Sequence, residues 1–183
     1  NIVRVSNQSG ATISKGKVVH IVDQSGGNPT IETASFESDP LSANTLGFVP
    51  TDITHPGNGY VITSGLFRDV NTTAFSPGDT LYLSSSGDFT NVVPDAPHHE
   101  VRLGQVITSA VSGKIFVRVI NGFEVTELHD VKTTTYSDGD LFVHSSSLWI
   151  NTKQLTGSYG LTGSLTADTI VADVTGSVLG TEI

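Results

Sequence analysis

Residues 101–120 read VRLGQVITSAVSGKIFVRVI. Two runs rich in Val, Ile, Leu and Phe, Arg102–Ile107 and Lys114–Ile120, stand on either side of a short Val-Ser-Gly break. In the second run Val117 and Val119 alternate with Arg118 and Ile120. A period of two sends successive side chains to opposite faces of a strand, and the glycine lets the chain turn sharply between the runs. The pattern predicts two neighbouring β-strands and no helix.

Working outward, the same grammar repeats. Strands are expected at Ile2–Val5, Lys17–Val22, Thr30–Ala34, Thr45–Pro50, Gly59–Leu66 and Thr80–Leu83, besides the two just named. Between them lie SNQSG, DQSGGNP, HPGNG, SPGD and SSSGD, each holding glycine for positive φ or proline to preset a turn. Around the second of these strands, Val18, His20 and Val22 are expected on one face, with Lys17, Val19, Ile21 and Asp23 on the other. Short strands at regular spacing without a helical stripe predict an all-β domain, an antiparallel barrel or sandwich, over residues 1–122.

Composition narrows the function. The chain has 183 residues, 37% of them hydrophobic, and a formal net charge of -9. Its nine Lys and Arg are spread along the sequence, which argues against nucleic acid, because phosphate binding needs clustered cations. The acidic balance argues equally against an anionic membrane surface. There is no cysteine, hence no disulfide or thiolate metal site. No apolar run approaches the roughly 20 residues that span a bilayer, and no signal peptide is visible. The first residue is Asn1 rather than Met, as in a processed or trimmed chain.

Past Asn121-Gly122 the composition shifts. Residues 123–153 are expected to form a small separate unit: a turn at Asp138-Gly139, a strand at Asp140–His144, a second turn at Ser145–Ser147 and a returning strand at Leu148–Asn151. Trp149, the only tryptophan, falls in that last strand. A sheet this small is marginal alone and needs packing partners.

Residues 154–183 are different again. LTGSYGLTGSLTADTIVADVTGSVLG, Leu155 to Gly180, repeats TGS three times and offers an apolar residue only every few positions. Such a stretch cannot bury enough surface to order itself singly. Two readings remain, a Ser/Thr/Gly linker or a segment whose core is shared among copies. Apolar residues that recur to the end favour intertwined copies, with Leu155, Leu161, Leu165, Ile170, Val174 and Val178 on a common axis and Trp149 at the junction.

Candidate chemistry is sparse. His98-His99-Glu100 offers two imidazoles and a carboxylate, but on a strand only His98 and Glu100 would converge, and Pro94 and Pro97 mark a surface loop. His20, His55, His129 and His144 have no ligand spacing. SDGD at Ser137–Asp140 lacks the further acidic ligands of a calcium loop and is expected to be a turn. Asp69, Asp79, Glu100, Glu124 and Glu127 could serve glycoside hydrolysis only if two of them met, and nothing in the sequence brings two together. No nucleophile elbow and no phosphate-cradling loop appears. No catalytic, cofactor-binding or metal residue is therefore expected, and the chain is read as a non-enzyme. Tyr60 and Trp149 are the aromatics available for stacking on a sugar, and both are expected to be packed instead. Asn7-Gln8-Ser9 and Asn71-Thr72-Thr73 match the glycosylation pattern, which carries little weight without a secretory signal.

ELHDV (Glu127–Val131), GDLFV (Gly139–Val143) and LWIN (Leu148–Asn151) together resemble an element of bacteriophage fibre proteins, in which L-x-D-V, G-x-x-L and W-x-N recur. RVSNQSGATISKGKVVHI (Arg4–Ile21), FSPGDTLYLSSSGDFT (Phe75–Thr90) and residues 101–119 are similar to the N-terminal domain of the same virion proteins, and more loosely to small head-decoration barrels of phages. The closing TGS tract is similar to fibre shafts. The resemblance implies a homotrimer in the virion, with a barrel docked on other virion proteins of the tail or capsid, a trimer-organising hairpin and the start of a shaft. A host-surface receptor would be met only through a distal region, and a full fibre would carry its tip beyond Ile183. The alternative it leaves open is a capsid decoration protein or head fibre.

Overall fold

The computed structural model describes residues 1–133, 135 and 137–154. The expectations for the shaft at 154–183, including Leu155, Leu161, Leu165, Ile170, Val174 and Val178, lie outside the described residues save for Gln154. Strands run at β1 (Ile2–Asn7), β2 (Val18–Ser25), β3 (Asn28–Thr33), β4 (Thr45–Phe48), β5 (Gly57–Ile62), β6 (Ser64–Val70), β7 (Thr80–Leu83), β8 (Phe89–Thr90), β9 (Val101–Thr108) and β10 (Gly113–Asn121). Three more follow, β11 (Val131–Lys132), β12 (Leu141–Ser145) and β13 (Leu148–Thr152). A single helical turn, Asp39–Ser42, and two short 3-10 turns complete the described elements. The protein is all-β, as expected.

The first five strands close into a barrel in the order β1-β3-β2-β4-β5. β1 runs parallel to β3 and antiparallel to β5, with Ile2 opposite Ile62 and Asn7 opposite Gly57. β2 and β3 form a hairpin whose loop is Gly26-Gly27, both at positive φ (58° and 80°). Glycine is what a two-residue connection of that twist demands. The barrel is filled by Val5, Ile13, Val19, Ile31, Val49, Ile53 and Val61.

The next five strands form an open sheet ordered β6-β10-β9-β7-β8. Its inner face, with Phe67, Leu81, Leu83, Leu103, Val106, Ile115 and Val117, packs against Val18, Ala34 and Phe48 of the barrel segment to make a second core. Phe48 meets Phe67 with ring centroids 5.6 Å apart, a tilted geometry favourable to aromatic pairs.

One departure from the expected pattern has a physical cause, and one expectation takes a form peculiar to this fold. The run Gly59–Leu66 is not one strand: Ile62 pairs with Phe48 in the barrel, whereas Ser64 pairs with Arg118 in the open sheet. Thr63 is the pivot, its N–H donating to the Asn1 carbonyl at 3.0 Å. β2 sends Val18 and Val19 to opposite faces, as expected, and both are fully buried because Val18 lies in one core and Val19 in the other. A strand between two cores loses the clean alternation of a half-buried strand.

The chain separates into two compact units, Asn1–Val131 and a second from Lys132 onward, so the division falls later than the composition shift at Gly122. Residues 123–131 go with the first unit: Gly122 N–H donates to the Glu100 carbonyl at 2.9 Å, and the Glu124 carboxylate lies 3.4 Å from His99 Nδ1. The small sheet has the order β11-β13-β12. Leu141 faces Thr152 and Ser145 faces Leu148 across a Ser146-Ser147 turn, close to the expected hairpin.

Candidate functional site

The structure brings some of the nominated residues together, His99 with Glu124 and Glu124 with Glu127, and leaves others, such as Asp69 and Asp79, elsewhere. His98 stacks on Phe36 with centroids 4.2 Å apart and planes 14° from parallel, while its Nδ1 lies 3.3 Å from the Asp95 carbonyl. His99 turns instead toward Glu124. Residues 98–100 lie in a loop, as Pro94 and Pro97 lead one to expect, and Glu100 shares a hollow with His99. Among the described residues no three His, Asp or Glu gather in a metal-binding group.

The acids at turns serve the turns. The Asp79 carboxylate accepts the Ser76 N–H at 3.0 Å and the Asn91 amide at 2.8 Å, and these bonds hold its pKa below the ordinary aspartate value. Asp140 accepts the Asn151 amide at 2.8 Å and the Ser137 N–H at 3.1 Å, chiefly the former depressing its pKa. SDGD is thus a turn closed by its own last residue. Asp69 sits exposed at positive φ in the sheet's edge strand. Glu124 and Glu127 face each other through a reciprocal capping box, with Glu124 N–H donating to Glu127 Oε2 at 2.7 Å.

Asn7, the first residue of one glycosylation pattern, is fully buried; its amide donates to the Ala11 and Ile53 carbonyls at 2.8 and 2.7 Å. Its nitrogen is committed to the fold. Tyr60 and Trp149, expected to be packed, are 51% and 43% exposed, and Trp149 meets His144 edge-on at 5.4 Å.

Two concave regions stand out among the described residues. The first is a hollow of about 200 Å³ in which Asp39, His99, Glu100, Asn121, Phe123 and Glu127 take part. The Asn121 amide donates to the Ala43 carbonyl, and its Oδ1 is buried with no hydrogen-bond partner among the described residues.

The second lies on the outer face of the open sheet. Leu66, Phe116, Gln105 and Thr80 follow one another across β6, β10, β9 and β7. Arg68, Lys114 and Thr108 form the next row, and Ile120, Arg102 and Tyr82 another on the opposite side. Arg118, opposite Ser64, completes a set in which four of the chain's nine cations share one face. None of the four enters an ion pair among the described residues; Arg102 reaches only the Thr80 hydroxyl, at 3.4 Å. Between Arg102 and Arg118 the surface dips into a hollow of about 110 Å³ floored by Gly104 and Phe116. A Cβ on Gly104, whose φ is +147°, would stand 2.0 Å from the Phe116 carbonyl oxygen, so only glycine lets the two strands approach there.

The sequence reading treats the cations as dispersed, and the sheet corrects that. The signal was present in the alternation Lys114, Phe116, Arg118, Ile120, but Arg68 and Arg102 join it only through strand pairing. No family model matches the chain, and no curated protein matches it.

Proposed function

We propose that this chain is a non-enzymatic structural protein of a tailed bacteriophage virion, a trimeric fibre anchored by its N-terminal barrel and supporting adhesion to the host. The observation that carries the reading is the coincidence of fibre-like motifs with structural units. Leu128–Val131 (L-x-D-V) leads into β11, Gly139-Asp140-Leu141, one residue shorter than the fibre G-x-x-L, spans the turn into β12, and Trp149–Asn151 (W-x-N) lies in β13, so the three fibre-like stretches build one three-stranded sheet. Asn151 ties them together, since its amide donates to both the Thr135 carbonyl and the Asp140 carboxylate. A closed barrel preceding that sheet suits a rigid attachment domain. The work is mechanical: a barrel fixed to other virion proteins, and a shared axis that holds an adhesive part away from the particle.

A second reading is a capsid decoration protein or head fibre. It is favoured by the size of the first unit, Asn1–Val131, which supplies every buried apolar side chain of the two cores. Light scattering on the purified full chain tests the threefold association; a stable folded monomer overturns it. Electron microscopy of virions decorated with an antibody to the barrel separates the readings, label at the tail supporting the fibre and label over the capsid lattice supporting decoration. Virions bearing no label would remove both.

A further inference from the structure

The outer face of the open sheet combines positive charge with exposed apolar surface. Leu66, Phe116 and Ile120 are each more than two-fifths exposed, and the four cations around them lack ionic partners among the described residues. The remainder of the chain is strongly acidic, with five Lys and Arg left against 18 Asp and Glu. One exposed segment has the complementary character. Phe123 is 81% exposed, Val125 and Leu128 are also open, and Glu124 and Glu127 are interleaved with them.

We propose that the segment Phe123–Leu128 of one copy docks on the outer sheet face of a second copy. Within its own chain the segment is tethered elsewhere, by the Gly122 bond to Glu100 and by the pair of Glu124 with His99. The face offers what an acidic, apolar ridge requires: an exposed ring at Phe116 for Phe123, and the guanidinium groups of Arg102 and Arg118 beside the hollow for a carboxylate. A guanidinium pairs with a carboxylate through two parallel hydrogen bonds, which favours arginine where orientation matters. Face and segment are different surfaces, so the contact is heterologous, and when its rotation is one third of a turn three copies close a ring. The inference deepens the threefold reading and rests on it: three such contacts would join the barrels of one trimer.

The chain contains no cysteine, so introduced thiols report on this contact alone. Gln105→Cys marks the face and Val125→Cys the segment, and both positions are exposed. The full-length double variant under mild oxidation should give a disulfide-linked species of three chains on a denaturing gel. A mixture of the two single variants should stop at linked pairs. Adding Arg102→Glu and Arg118→Glu should slow linkage at least tenfold, with the circular dichroism of the chain unchanged. If light scattering shows three chains but no linkage forms, the docking inference falls and the threefold reading stands. A monomer by light scattering removes both. Binding of a single-stranded oligonucleotide that is lost with the two arginine substitutions, in the absence of linkage, would make the face a polyanion site and overturn the proposal.

Discussion

Gly104 and His20 show how single positions carry the fold. At Gly104 the space for a side chain is occupied by the Phe116 carbonyl oxygen and the backbone turns to positive φ. Gly104→Ala must therefore push β9 from β10. A loss of about 1–3 kcal/mol or more is expected from overpacking and backbone strain, read from the shift of the urea midpoint. His20 is 3% exposed and neither ring nitrogen has a hydrogen-bond partner among the described residues. Burial lowers its pKa below 6.5, while the nearby Glu32 carboxylate acts the other way. Below pH 6.5 the unfolded chain takes up a proton that the folded one refuses, so the folded state loses stability as pH falls toward the depressed pKa and no further beneath it. His20→Leu removes that proton-linked loss. Its stability relative to the parent should improve as pH falls below 6.5, and a gap that stays constant would refute the assignment. Neither position announces itself in the sequence. Gly104 reads as one more small residue in a strand, and His20 as part of an alternating face, because the cause in each case is a neighbour distant along the chain.

The strands themselves were largely legible. Each expected strand of the first unit is present with its ends moved by no more than three residues, apart from the run divided at Thr63. That division was hidden because both halves obey the same period of two, and the change of partner leaves no local mark. The charged sheet face was hidden for a related reason: register, not spacing, brings Arg68 beside Lys114. In the small sheet the reverse holds, since the turns are local: one is expected at Asp138-Gly139 and found there, the other is expected at Ser145–Ser147 and found at Ser146-Ser147. Its stability should depend on Asn151, whose amide bridges the Thr135 carbonyl at 3.0 Å and the Asp140 carboxylate at 2.8 Å. Asn151→Ala should cost this sheet about 1–3 kcal/mol. Trp149 is the chain's only tryptophan, so its fluorescence during denaturation follows this sheet, while the far-ultraviolet dichroism of the larger unit should hardly change.

At the scale of the molecule, the first unit has two interiors and one wall between them. Val18 projects to one side of that wall and Val19 to the other, and no solvent reaches either. The two interiors consequently share their fate. Truncating Val19 to alanine, a change made inside the barrel, should loosen the aromatic cluster beyond the wall as well, and scanning calorimetry should find one heat-absorption peak for residues 1–131 rather than two. This arrangement leaves no weaker compartment to yield first: a pull applied to either half meets the resistance of both.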